Sequence, residues 1–255
     1  MIRIGRAQRI AVVALAAIAV GAAGARTAQK TEAEKMYEED IIKTETGDLK
    51  ITFFGHASLA LAYQGKVVYA DPVGNPAGTP VDYSKMPRAD LILVTHEHFD
   101  HLDPKAISTL RKEQTQIILT KACAGKVSGG TVMKNGDVLT VQGIKIEAVP
   151  AYNIVQKFHP KGVGNGYVLN LDKTRVYVAG DTENTPEMKQ LKNIDIAFLP
   201  MNLPYTMTPE MVADAAQAFR PRILYPYHYG DTDTSKIQEL LREDPDIEVR
   251  IRQMA

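Results

Sequence analysis

The chain of 255 residues reads as a mixed α/β fold, a sandwich of mixed sheets with helices packed outside. Three observations predict this. Short apolar, β-rich runs recur from residue 48 almost to the C-terminus, each bounded by turn residues. Helix-start markers fall between these runs, not in a block of their own. Stretches such as VLTVQGIKIEAV place neighbouring strands in hairpins.

Taken in order, the chain begins with Arg3, Arg6 and Arg9, then an apolar or small stretch over 10–25 that ends in Ala23-Gly24-Ala25. That stretch is shorter than the roughly 20 apolar residues that span a bilayer, and the end is an A-x-A cleavage site. Residues 1–25 are therefore expected to be a signal peptide, with the remainder periplasmic or secreted. Left uncleaved, the segment would be a membrane anchor, and membrane contact is expected only then. Residues 26–47 are polar and charged without a sustained apolar face, and are expected to form a tether or a short solvated helix. The domain is expected to span 48–255.

Within it, strands are expected at 51–63, 66–70, 91–95, 117–120, 144–149, 167–171, 176–179, 194–199 and 223–227, nine or ten in all. Asp103-Pro104 supplies a cap and a first-turn proline before KAISTLRK, and Thr208-Pro209-Glu210 does so before MVADAAQAF. Ser235 is read as the cap of a third helix, KIQELLRE. Hydrophobic residues make up 45% of the chain, enough for one substantial core.

Thirty basic and thirty acidic side chains cancel, so no polyanion partner such as a nucleic acid is indicated. Cys123 is the single cysteine, which excludes an intramolecular disulfide and a cysteine-rich zinc cluster; it reads as a small packed residue. Any metal must then sit on His, Asp or Glu. Leu91 to Thr95 is a buried strand that runs straight into His96-Glu97-His98-Phe99-Asp100-His101. Three of the chain's six histidines and a carboxylate thus leave one strand end into one small volume. Imidazole nitrogen and carboxylate oxygen suit zinc and its first-row neighbours, and spacing this close lets one loop feed two ions about 3.5–4 Å apart. Imidazoles crowded together in their charged form, without a metal, would repel one another.

The string H-x-H-x-D-H resembles the motif of the metallo-β-lactamase superfamily, and the resemblance covers nearly all of 48–255. It implies an αββα sandwich, two mixed sheets with helices on the outer faces, holding two divalent metal ions at one edge, with zinc first and Mn2+ or Fe2+ as alternatives. His96 and His98 would bind the first ion, and Asp100 and His101 the second. Asp181, after the strand Val176-Tyr177-Val178-Ala179-Gly180, matches the aspartate that bridges both, and His228, after Ile223-Leu224-Tyr225-Pro226-Tyr227, matches the last ligand. Where a further histidine is expected the strand ends in Asn153, so His159 is assigned as the third ligand of the first ion. His56, in Gly55-His56-Ala57-Ser58, is expected near the mouth of the site and off the metals, or else in a purely structural role, and Asp71 is expected to accept a hydrogen bond from a ligand histidine or its loop.

Such a pair of ions sharing a water lowers the pKa of that water from 15.7 to roughly 7, which makes a bridging hydroxide available without a side-chain base. The resemblance is to lactonase-like metal-dependent hydrolases, with an ester, lactone or phosphoester of a small molecule as substrate and Asp100 or a metal-bound water returning the proton to the leaving group. Neither a G-x-S-x-G element nor a P-loop is present. Two other readings stay open: a metal-binding module with a vestigial site, and a metallo-oxidoreductase carrying iron. His98 stands where the diiron branch normally has glutamate. Asn202, Tyr205 and Tyr229 are read as ordinary surface contacts, outside the site.

Overall fold

The structure, a computed structural model, describes residues 37–255. The expected signal peptide at 1–25 lies outside the described residues. The first sheet carries β1 (Glu38–Thr44), β2 (Gly47–Gly55), β3 (Ser58–Tyr63), β4 (Lys66–Ala70), β5 (Leu91–Leu93), β6 (Gln116–Leu119) and β7 (Thr131–Val132), side by side in that order. The second carries β8 (Val138–Val141), β9 (Ile144–Ala151), β10 (Gly164–Leu171), β11 (Thr174–Val178), β12 (Ile196–Pro200), β13 (Ile223–Tyr227) and β14 (Glu248–Val249), again in sequence order. In each sheet the first four strands pair antiparallel and the last three are added in parallel. Both sheets are mixed, as expected.

The helices are α1 (Pro104–Leu110), α2 (Pro186–Lys189), α3 (Pro209–Phe219) and α4 (Ser235–Leu240). Period-two alternation explains the layers. In β5, Leu91 and Leu93 face the space between the sheets while Ile92 turns outward to Ile107 and Leu110 of α1. In β12, Ile196 and Phe198 point inward, and Ala197 and Leu199 pack outward with Val212 and Ala216 of α3. Three apolar layers result, one between the sheets and one under the helices on each outer face, which is an αββα sandwich. Strands buried on both faces read as continuous apolar runs, which is why these were visible in the sequence.

Four readings change. Residues 38–44 are not a tether: they form β1, paired with β2 from Glu38↔Phe53 to Thr44↔Gly47, so the domain begins ten residues earlier than expected. β1 is an edge strand with a mostly polar face, and Asp40 is held by Arg252 from the other end of the chain (Nη2 to Oδ1 and Oδ2, 2.8 Å each). That stabilisation is long-range and leaves no local apolar pattern. The single run 51–63 is two strands, broken at Gly55-His56, where φ is +116° and +53°. Helix α4 starts at Ser235, and Asp233 is the residue whose side chain accepts from the Ser235 amide and hydroxyl. Helix α2, capped by Thr185 and opened by Pro186, is four residues long, too short to show a helical period. At the other two starts the caps form as read: Asp103 accepts from the amides of Lys105 and Ala106, and Thr208 from that of Met211. Cys123 is fully buried, which raises its thiol pKa.

Candidate metal centre

The C-terminal ends of β4, β5, β11 and β13 open onto one edge of the sandwich, where side chains leaving parallel strands converge. All six histidines of the chain meet there, although they come from residues 56 to 228. Three hydrogen bonds pin the end of β5. The Thr95 amide and hydroxyl donate to Asp71 Oδ1 and Oδ2 (2.8 and 2.6 Å), and the Asn165 amide, from the opposite sheet, donates to the Thr95 carbonyl (3.0 Å). His96 to His101 therefore start from a fixed point.

Three backbones at this edge are left-handed without being glycine: His56, Asp71 and His228, with φ of +53°, +42° and +48°. Such conformations are held only where the surroundings over-determine them, and they cluster at functional sites. Here each turns a strand end so that its side chain faces the edge. The His228 amide donates to the His56 carbonyl (3.0 Å), which locks two of these turns together. Gly180 does the same for Asp181 at φ +66°; a Cβ there would lie 2.9 Å from Thr95 Cβ.

The donor atoms fall into three overlapping groups, each within 4.8 Å: His96, His98 and His159; His96, His101 and Asp181; and His56, Asp100, His101 and His228. Asp181 is central. Its Oδ1 lies 3.2 Å from His101 Nε2, and its Oδ2 lies 3.3 Å from His159 Nε2, 3.3 Å from His228 Nε2 and 3.9 Å from His96 Nε2. Asp100 Oδ2 is 3.5 Å from His228 Nε2 and 4.0 Å from His101 Nε2. Every residue read from the sequence as a ligand, His96, His98, Asp100, His101, His159, Asp181 and His228, is brought to this one spot.

Around them the orienting contacts are built. Asp71, fully buried, takes the His101 Nδ1 hydrogen bond at 2.7 Å, so His101 presents Nε2 to the centre. Asn153 occupies the strand end where a ligand was sought, and its part is different: its Oδ1 accepts from the His159 amide and lies 2.8 Å from His159 Nδ1, while its Nδ2 donates to the Tyr205 carbonyl. The residue at the ligand position thus aims the histidine that replaces it. Glu183, buried, goes further back. Its carboxylate accepts from the amides of Ile154 (2.7 Å), Val155 (2.8 Å) and Gln156 (3.0 Å), and so clamps the loop that delivers His159 to the segment that carries Asp181.

The charges are mutually dependent. For His96, burial and the neighbouring His101 push the pKa well below the ordinary value; His98 is lowered by burial and by His159. For His101, burial works downward but Asp181 and Asp71 outweigh it and raise the pKa. Burial alone would raise Asp181 and Asp100. Instead His228 and His101 hold Asp181 well below the usual carboxylate range, and the neighbouring imidazoles of His228 and His56 do the same for Asp100.

These residues fit a metal. Among the described residues, Nε2 of His101 and His159, both ring nitrogens of His228 and Oδ1 of Asp181 are buried with no hydrogen-bond partner, and all but His228 Nδ1 face this centre. Buried polar atoms in folded proteins almost always have partners, so this many convergent lone pairs call for a cation. A mixed imidazole and carboxylate set without thiolate suits zinc and its first-row neighbours.

Sequence reasoning missed Asn202, Tyr205 and Glu183, and placed His56 at the mouth of the site without its part in a donor group. His56, expected off the metals, has Nε2 3.2 Å from Asp100 Oδ2 and its ring 3.8 Å from that of His228, inside the donor group of Asp100, His101 and His228. Its lone position in a turn carried no sign of this. Asn202 and Tyr205, read as surface residues, line the cavity above the centre together with Phe99 and Phe158. Glu183 had no distinguishing context. Tyr229 does stay outside the site, half-buried against the core with its hydroxyl on the Arg252 carbonyl.

Fold and site together define a class of enzyme in which strand-end imidazoles and carboxylates grip metal ions. The model of the beta-lactamase superfamily domain matches residues 50–228, and the chain belongs to the metallo-β-lactamase superfamily as a metal-dependent hydrolase. It is 31% identical over 211 residues to a UPF0173 metal-dependent hydrolase of Pyrobaculum neutrophilum, covering 78% of this chain and 89% of the relative. A crystal structure from Parabacteroides distasonis, provisionally assigned as a metal-dependent hydrolase, is 50% identical with a TM-score of 0.81, covering 86% of this chain and all of that one. A metallo hydrolase of Ignicoccus hospitalis is 26% identical with a TM-score of 0.69, covering 81% of this chain and 96% of that one.

Proposed function

We propose that the protein uses two divalent ions, zinc in the first instance, to hydrolyse an ester, lactone or phosphoester bond of a small molecule. The observation that carries this reading is the set of buried, unpartnered donor atoms converging on Asp181 at the floor of an open cavity. His96, His98 and His159 would hold one ion, Asp100, His101 and His228 the other, with Asp181 shared. His56 stands beside the second set. When bound, such a pair supplies Lewis acidity and lowers the pKa of water to roughly 7.

The chain's own residues do the rest. Asp71 and Asn153 fix which ring nitrogen His101 and His159 present, so no reorganisation is needed when substrate arrives. Asp100 is the one carboxylate of the centre that is partly exposed, and it lines the cavity. It is ionised at neutral pH, because the adjacent His228 and His56 imidazoles outweigh its burial. Its place in the cavity lining sets it to carry a proton from an attacking water to the leaving group. Export completes the reading: residues 1–25 are removed and the enzyme acts outside the cytoplasm.

The test couples metal quantification to a hydrolysis screen on wild type, Asp100→Asn and Asp181→Asn. Near two zinc ions per chain and turnover in the wild type are expected, both lost in Asp181→Asn. Full turnover in both variants would refute the mechanism, iron in place of zinc with redox turnover would favour an oxidoreductase, and less than one ion per chain with no turnover a vestigial site. N-terminal sequencing of protein from the producing cell should begin at Arg26.

A further inference from the structure

The donor set accommodates ester, lactone and phosphoester alike, and the walls above it separate them. The cavity over the centre measures about 380 Å³, within the range of ligand pockets. Its floor is His56, His98, Asp100, His159, Asp181 and His228, and its remaining lining is Phe99, Phe158, Asn202 and Tyr205. Among the described residues, no lysine or arginine lines it. Phe158 and Tyr205 pack edge to face at 5.0 Å and form one wall, and Phe99 is 87% exposed. The loops that carry these aromatics also expose Ile154, Val155 and Leu203, so six of the ten exposed large apolar side chains among the described residues sit on three loops around this opening. Single exposed apolar residues are ordinary, whereas a cluster at the mouth of a site marks what the site contacts.

We propose that the substrate is a carboxylic ester, open or cyclic, whose acyl or aryl portion is uncharged and apolar and lies against Phe158, Tyr205 and Phe99, and that it is not a phosphoester. The inference rests on the hydrolase reading above. Beyond metal ions, recognition of a phosphoryl group draws on arginine forks or lysine charges, and among the described residues none lines this cavity. Lys161 is engaged with Glu187 at 2.9 Å, and Lys157 is exposed outside the lining. Anionic oxygens set against the phenyl walls, away from the ions of the floor, would lose hydration without gaining partners, whereas a methylene chain there leaves water. Asn202 adds a neutral amide, which matches a carbonyl or ether oxygen.

The experiment compares p-nitrophenyl acetate, butyrate and octanoate with bis(p-nitrophenyl) phosphate as substrates of the zinc-loaded protein. We expect kcat/KM to rise roughly two- to fourfold per methylene, as for a chain partly or fully removed from water, and the phosphodiester to fall below octanoate. Phe158→Ser and Tyr205→Ser should flatten that rise. A readout without turnover is calorimetric titration with 2-decanone against 2-butanone, in which the longer ketone should bind at least tenfold tighter in the wild type and lose that margin in Phe158→Ser. A flat or falling ester series, or faster cleavage of the phosphodiester, overturns the inference while leaving the hydrolase reading intact. No turnover on any ester, with 2-decanone still preferred and sensitive to Phe158→Ser, removes the hydrolase reading and supports the apolar pocket. No turnover and no ketone preference removes both.

Discussion

The two halves of the molecule share a framework and use it differently. Strands β1–β7 and β8–β14 each form an antiparallel meander of four followed by three parallel additions. Each half places a buried aspartate just beyond its fourth strand, Asp71 after β4 and Asp181 after β11. Asp71 has both oxygens occupied, by the Thr95 amide, the Thr95 hydroxyl and His101. Asp181 keeps Oδ1 without a hydrogen bond and faces four imidazoles. A carboxylate whose lone pairs are taken by fixed donors can only orient its neighbours. One whose lone pairs stay open can hold an ion.

The sharpest way to break this comparison is to remove each charge in turn. Asp181→Asn should reduce bound metal below one ion per chain and bring hydrolysis to background, read by elemental analysis and a rate assay. Asp71→Asn should retain metal but weaken it about 10- to 100-fold, the usual cost of losing an orienting partner, measured by competition with a chelator. Equal losses in the two variants would mean that the aspartates do the same job.

Glu183 sharpens the same contrast within the second half. Glu183→Ala strips the shared acceptor from three loop amides and should cost about 2–4 kcal/mol in urea unfolding, since each buried donor left unpaired costs about 1–3 kcal/mol and loop water recovers part of it. Glu183→Gln keeps acceptor oxygen and should recover at least half. If the alanine variant is as stable as wild type and holds metal as tightly, the clamp is not what positions His159.

The smallest effect lies away from the site, on the second sheet. The hydrogen bond from Arg175 lowers the pKa of Glu147 to about 2, with burial opposing, so the pair contributes stability that is present above the unfolded value near 4.5 and lost as pH falls toward 2. With about a quarter of each side chain exposed, the contribution at pH 7 is on the order of 1 kcal/mol. Glu147→Gln should lower stability by that amount at pH 7 and by nothing at pH 2. A difference that persists at pH 2 would assign the loss to packing.

Much of the centre was legible because its chemistry is local. His96, His98, Asp100 and His101 leave one strand end together, and a strand buried on both faces announces itself as an apolar run, so Asp181 and His228 could be read as strand-end residues as well. His159 was the only unassigned histidine downstream of Asn153, but its aim depends on Asn153 and Glu183, contacts that carry no sequence pattern. The edges of the sheets were illegible for the opposite reason. β1, β7 and β14 are short or polar and are stabilised by partners far along the chain, as Asp40 is by Arg252.

By itself the sequence determined the alternation that makes two sheets, the helix starts at Asp103 and Thr208, and a nitrogen and oxygen donor set without thiolate. These follow from side-chain identity and periodicity, which act over a few residues. Only the tertiary structure decided that His56 joins the donor group of Asp100, His101 and His228, that Asn153 Oδ1 is engaged with His159, and that Phe158 and Tyr205 close one wall of the cavity. Each depends on where strands from both sheets end relative to one another, and that distance is set by the packing of the whole core between them.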